Sequence, residues 1–140
     1  MALRVVLDTN VVFEGLTKQT GVCGLIIDAW RAGLILACVS NALLNEYDDV
    51  LSRKLSTGRY AEVISALDEL LDRSTNFVRA YYTWRPISSD PGDDHVIDCA
   101  MNANAVVITS NLRDFQEASN RLGLQVMTPI QFVKRLADRE

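Results

Sequence analysis

The 140-residue chain is short of histidine, cysteine, proline and long apolar runs. Its single histidine, His95, leaves no credible Ser-His-Asp arrangement, and with the cysteines it assembles no zinc set. The three cysteines, Cys23, Cys38 and Cys99, are odd in number and form no CxxC pair. All three sit in apolar surroundings, so buried free thiols in a reducing compartment are expected. No stretch approaches the roughly 18 apolar residues of a membrane-spanning helix. The Leu3–Leu7 run is short, is interrupted by Arg4 and lacks the pattern of a secretory signal. A soluble cytoplasmic protein with no membrane partner is therefore expected. Basic excess is also missing: 18 acidic residues stand against 14 basic ones, for a net charge of −4. That excludes a globally basic, polyanion-wrapping protein but not a local basic path beside an acidic site. There is no Walker A or GxGxxG sequence.

What is present is globular. Apolar residues make up 49% and charged residues 23%, with no internal repeat or linker, so residues 1–140 read as one domain. Leu3–Leu7 reads as a short buried strand, ended by the turn and cap chemistry of Asp8-Thr9-Asn10, and a short helix follows over Val11–Leu16. Val22, Leu25, Ile26, Ala29 and Trp30 fall at helical spacing, with Gly33 as terminator. Leu34–Val39 suits a strand buried on both faces, and Ser40 caps the next helix, which carries Leu43, Leu44, Tyr47, Val50 and Leu51. Val63–Leu71 predicts a helix, Asn76–Ala80 a strand and Trp84–Gly92 a loop. Beyond it come a helix over Asp94–Asn102, a strand over Ala105–Thr109 and a short helix to Phe115. Leu124–Met127 is a final strand, and Thr128-Pro129 opens the last helix. Strands alternating with helices imply a three-layer α/β/α sandwich around a mostly parallel sheet of about five strands. In such sheets sites form beyond the carboxyl ends of the strands. Asp8, Ser40 and Thr109-Ser110-Asn111 all follow strand ends, so they should open onto one edge.

The acidic residues that could carry chemistry are dispersed. Asp8 is either a helix cap or a ligand, and Thr9 and Asn10 share its turn. Glu46 lies six residues past Ser40, near the border of the buried stripe; Asp48 and Asp49 lie on other faces and read as surface charges. The segment Asp90-Pro91-Gly92-Asp93-Asp94-His95-Val96-Ile97-Asp98 concentrates four aspartates at the start of a helix. Asp94 and Asp98 are i,i+4 and share a face, where two carboxylates repel unless a cation or proton lies between them. Asp90 and Asp93 read as capping residues. Asn111 is a cap or a ligand, and Asp114 a ligand or a surface partner of Arg113. Asp8, Glu46, Asp94 and one of Asn111 or Asp114 thus aim at one edge, and an oxygen-only set suits Mg²⁺ or Mn²⁺. Carboxylate-held Mg²⁺ fits phosphoryl transfer.

At these residues the chain resembles the PIN-domain family of metal-dependent ribonucleases, the fold of VapC-type toxins. The resemblance lies in Val5-Val6-Leu7-Asp8-Thr9-Asn10-Val11, in the strand-serine-helix-glutamate segment Val39–Tyr47, in Asp90–Ala100 and in Val107–Phe115. The closing Val126–Phe132 resembles the tail of a toxin-antitoxin PIN subgroup. It implies Asp8, Glu46 and Asp94 as the acidic metal ligands, with Asn111 or Asp114 completing the site. Asp98 stands where many members have alanine and is a further candidate ligand. The implied reaction is endonucleolytic hydrolysis of single-stranded RNA. Arg53, Lys54, Arg59, Arg85 and Arg113 are candidates for phosphate contacts. Tyr81, Tyr82 and Trp84 are candidates for base stacking. The family also implies a homodimer and a cognate antitoxin. Two rival readings are a haloacid-dehalogenase-like phosphohydrolase, which needs a second acid where this chain has Asn10, and a non-catalytic PIN-like module that binds RNA or a partner.

Overall fold

The apolar run Leu3–Leu7 forms strand β1, at the centre of the sheet. A strand covered on both faces is apolar at consecutive rather than alternate positions, and Val5, Val6 and Leu7 are all buried. The computed structural model describes residues 2–18, 20–79 and 91–139. After β1 come α1 (Thr9–Thr17), α2 (Val22–Arg31), β2 (Ile35–Val39), α3 (Asn41–Lys54), α4 (Thr57–Leu71) and β3 (Thr75–Phe77). They are followed by α5 (Pro91–Ala103), β4 (Val106–Ile108), α6 (Leu112–Leu122), β5 (Val126–Met127) and α7 (Pro129–Asp138). Every strand pairing is parallel, in the order β3-β2-β1-β4-β5. This is the α/β/α sandwich that the alternation implies.

The order reverses once. From β1 the chain builds β2 and β3 on one side, then crosses back to lay β4 and β5 on the other. Where two neighbouring strands send their following helices apart, a crevice opens beyond their carboxyl ends. Here those strands are β1 and β4, so Asp8 and Thr109 flank the crevice. Trp30, Tyr47, Phe115 and Phe132 are among the largest fully buried side chains. The Trp30 indole nitrogen donates to Thr75 Oγ1 at 3.3 Å, tying α2 to the start of β3.

Local chemistry sets the element ends. Ser40 Oγ accepts from Leu43 N at 3.2 Å and starts α3. Thr128 and Gln131 form a reciprocal capping box before Pro129. Gly33, at φ 79°, takes the left-handed turn beyond the end of α2. Several boundaries differ from expectation, among them β3, which ends at Phe77, β5, which starts at Val126, and α1, which starts at Thr9. Helix α4 begins at Thr57, where Ser56 Oγ accepts from Arg59 N, so a polar first turn precedes the apolar residues. Helix α6 continues to Leu122 because Phe115, Ala118 and Leu122 keep one apolar face on the core. Helix α5 starts at Pro91 rather than Asp94, since proline suits a first helical position. The remainder of the expected loop, residues 84–90, lies outside the described residues, as does Ala80 at the end of the expected strand. Asn111, expected to cap α6, holds the N-cap position without a side-chain capping bond.

Helices α1 and α2 touch backbone to backbone at Gly15. A Cβ there would lie 2.4 Å from Ile27 Cγ1 and 2.7 Å from the Cys23 carbonyl oxygen. Gly15→Ala therefore lowers stability by about 1–3 kcal/mol, read as a reduced urea midpoint with an unchanged slope. All three cysteines are buried and free. Burial pushes the Cys23 thiol up to about 11 and the Cys99 thiol up to about 12, and it raises Cys38 as well. Because thiolate is the reactive form, a thiol reagent at pH 8 labels all three in urea and none of them in the folded protein. Fast labelling of native protein would contradict this burial.

Candidate active site

Asp8 is the first residue past β1 and the N-cap of α1. Its Oδ1 accepts from the Thr9 backbone N–H at 2.8 Å, and its Oδ2 from the Thr109 hydroxyl at 2.7 Å. The Asp8 backbone N–H donates to the Ile108 carbonyl oxygen at 2.9 Å. Main chain and side chain of one residue thus bridge the two strands that flank the crevice. The hydroxyl's polarity is fixed as well. Asn111 N–H, a donor only, approaches Thr109 Oγ1 at 3.0 Å, so the hydroxyl accepts there and gives its proton to Asp8.

Beneath this bridge lies a residue that the sequence showed only as core. Tyr47 of α3 is buried, and its hydroxyl donates to the Leu7 carbonyl oxygen at 2.5 Å. Burial first, then nearby acidic groups, pushes its phenol well above the ordinary value, so it stays a donor. It fixes the peptide just before Asp8. The apolar period explains why Tyr47 points inward; no local signal names a partner 40 residues away.

A cavity of about 250 Å³ opens at this edge, lined by Asp8, Thr9 and Asn10 of the first turn, Glu46, Val50, Arg53 and Lys54 of α3, and Asp93 of α5. The α3 contributions fall at i, i+4, i+7 and i+8, one stripe of one helix. Ser40, by capping α3, sets the position of that stripe. Arg53 and Lys54 occupy the last turn, where cations suit the helix dipole. Arg53 Nε also reaches Asp49 Oδ2 at 3.0 Å, and the Lys54 ammonium lies 5.0 Å from the centre of the Phe13 ring.

Asp93 and Asp94 stand side by side at the third acidic position, in the first turn of α5. Asp93, read as a cap, lines the cavity; Asp94 and Asp98 are buried in α5 but are not among the lining residues. With α5 beginning at Pro91, neighbouring side chains are still turned about 100° apart, so one residue decides which carboxylate faces β1 and α3. Asn111 and Asp114 pair with each other: the Asn111 amide donates to Asp114 Oδ2 at 2.6 Å, and both are exposed. Neither lines the cavity; their link to it is the Asn111 N–H on Thr109. Arg59 donates to the Thr17 carbonyl oxygen at 3.1 Å, away from the cavity. Arg113 is exposed on α6, and His95 is half-buried. Tyr81, Tyr82, Trp84, Arg85 and Asp90 lie outside the described residues.

The family profile described as a PIN domain matches residues 4–113, from β1 into the first turns of α6. The chain belongs to the PIN-domain family. All the cavity's lining residues fall within that match. The PIN domain is 27% identical to an uncharacterized protein of Methanocaldococcus jannaschii, over 94% of this chain and 90% of the relative. Its fold is similar to that of VapBC2 from Rickettsia felis bound to a DNA fragment from its promoter. There the TM-score is 0.66 at 16% identity, covering 90% of this chain and 98% of that one. It is also similar to DNA-bound VapBC from Salmonella typhimurium, with TM-score 0.63 and 19% identity over 91% of this chain and 98% of that one. FitAcB from Neisseria gonorrhoeae gives 0.62 and 18% over 89% and 97%. At these identities the likeness is one of fold.

The donors that this PIN domain offers around its cavity are oxygens: three carboxylates, the Thr9 hydroxyl and the Asn10 amide. Such a set fits a hard divalent cation that keeps part of its water shell. Among the described residues no three acidic, histidine or cysteine side chains converge tightly enough to enclose an ion alone, so water would have to complete the coordination.

Thr109→Val removes both a donor to Asp8 and an acceptor for Asn111 N–H. It costs about 1–3 kcal/mol, measured by urea unfolding, and Thr109→Ser recovers most of the loss. A loss in Thr109→Ser with none in Thr109→Val would show that the methyl group, not the hydroxyl, holds this position.

Proposed function

We propose that this PIN domain is a divalent-metal-dependent endoribonuclease that hydrolyses phosphodiesters of single-stranded RNA, as the toxin of a type II toxin-antitoxin pair. One observation carries the reading: Asp8, Glu46 and Asp93, from three separate elements, face one cavity at the sheet's reversal point with Arg53 and Lys54 beside them. Family membership and the shared fold with VapBC and FitAcB structures support it.

Asp8, Glu46 and Asp93 would hold Mg²⁺ or Mn²⁺, directly or through water. A bound divalent cation supplies polarisation of a phosphate oxygen and acidification of a water. Thr9 N–H and the Thr109 hydroxyl aim Asp8, while Tyr47 and Ser40 hold the backbone that carries Asp8 and Glu46. Arg53 and Lys54 give an acidic protein the local positive charge that RNA phosphates need. Asn111 and Asp114 form the outer edge of the site, coupled to Asp8 through Thr109. Asp94 and Asp98, buried in the same helix, are the alternative ligands at this position. In this reading the chain is cytoplasmic and homodimeric, and a cognate antitoxin blocks the site.

The non-catalytic reading draws on Asn111, uncharged where many members carry aspartate, and on the open spacing of the carboxylates. Cleavage of end-labelled single-stranded RNA decides between the two. Wild type cuts with Mn²⁺ or Mg²⁺ and stops with EDTA, and Asp8→Asn, Glu46→Gln and Asp93→Asn each abolish detectable cutting. Asp93→Asn costs more activity than Asp94→Asn; the reverse order would return the third position to Asp94. RNA binding without cutting under either metal would favour the binding module.

A further inference from the structure

A second cavity, of about 450 Å³, shares no lining residue with the acidic one. It lies between α1, the start of α2, the turn after β4 and the start of α7, and its lining includes Glu14, Val22, Cys23, Ser110, Pro129 and Ile130. Two features set it near the proposed catalytic cavity. Glu14 and Asn10 are i,i+4 on α1, one helical turn or about 6 Å apart, and Asn10 lines the acidic cavity while Glu14 lines this one. Ser110 directly follows Thr109, which holds Asp8. A strand with its scissile phosphate over Asp8 therefore passes the mouth of this second cavity within about one helical turn.

Its chemistry is that of a base-sized site. The volume falls within the ~300–1,000 Å³ typical of small-ligand sites, which combine apolar walls with a few polar groups. Val22, Pro129 and Ile130 supply the apolar surface, and Ile130 is 57% exposed, a large side chain left uncovered. Glu14 supplies a carboxylate. The Cys23 thiol lies 3.7 Å from Glu14 Oε2 and donates to it. Burial raises that thiol, so it stays protonated. One weak donor from Cys23 orients the carboxylate and leaves most of its acceptor capacity open. Lys18, exposed at the rim, can meet a flanking phosphate.

Single-stranded RNA is read by splaying bases out, packing their faces and bonding their Watson–Crick edges. Among the four RNA bases only guanine presents two adjacent donors there, N1–H and the 2-amino group, matching both oxygens of one carboxylate. Adenine and cytosine pair one amino group with a ring acceptor that a carboxylate repels, and uracil flanks its single N–H with two carbonyls. We infer that this cavity is a nucleobase subsite that accepts guanine beside the scissile phosphate, with Glu14 as its specificity-determining residue. The inference rests on the ribonuclease reading and names the substrate feature that the same site selects.

The test uses short single-stranded RNAs with one guanosine, or inosine or adenosine in its place, cut by the 140-residue chain in Mn²⁺. Inosine lacks only the 2-amino group. Wild type cuts beside guanosine about tenfold faster than beside either replacement, in line with one bidentate base contact. In Glu14→Gln that ratio falls below about twofold. The inosine comparison is made in wild type, so it does not depend on how the variant folds. Cutting by wild type with no guanosine preference overturns the inference and leaves the nuclease standing. A preference that survives in Glu14→Gln also overturns it and leaves the cavity to a protein ligand. Absence of any metal-dependent cutting overturns both readings.

Discussion

The hydrogen bond from the Thr109 hydroxyl to Asp8 crosses the gap between β1 and β4, and the arrangement of the site follows from it. The sheet reverses its strand order at this gap. A parallel sheet has no side chains to spare at such a point, because both faces are covered and only the strand ends reach solvent. The first residue past each strand must therefore join the two halves of the crevice. Asp8 does so with both its N–H and its carboxylate, and Thr109 passes the connection to Asn111. Tyr47 then fixes the last peptide of β1 from below. A side chain anchored in this way can be aimed without paying for its order again at each turnover.

Around Asp8 the balance of charge is local. The chain carries a net charge of −4, yet Arg53 and Lys54 share a cavity with Asp8, Glu46 and Asp93. Three carboxylates in one cavity repel one another, and a bound cation relieves that repulsion. The two basic residues lie on the same helical stripe as Glu46, seven and eight residues on, so one helix delivers both an acid and the cations beside it. This is the arrangement that a polyanionic substrate would demand: positive charge for its phosphates, negative charge where a metal would sit.

Much of this was legible before the structure. Asp8, Ser40 and the Thr109-Ser110-Asn111 turn were identifiable because each follows a short apolar run, and strand ends are where α/β sheets place their sites. Glu46, at the border of the apolar stripe, stood out only through the family resemblance of the strand-serine-helix-glutamate segment. At the third acidic position the sequence favoured Asp94 and read Asp93 as a cap, whereas Asp93 lines the cavity, a difference of one helical position that spacing alone does not separate. Tyr47 stayed hidden as one more apolar-face residue. The pairing of Asn111 with Asp114 was not visible either, since each was weighed as a ligand and neither as the other's partner.

The central claim is that Asp8, Glu46 and Asp93 together hold one divalent cation. A crystal structure of the protein grown with Mn²⁺, with data collected at an energy that reveals the metal's anomalous signal, tests it most directly. The expected result is one peak in the acidic cavity, reached by all three carboxylates directly or through a single water, with Asp94 and Asp98 turned away. A peak held by Asp94 or Asp98 instead, or no peak in that cavity at saturating Mn²⁺, would contradict it.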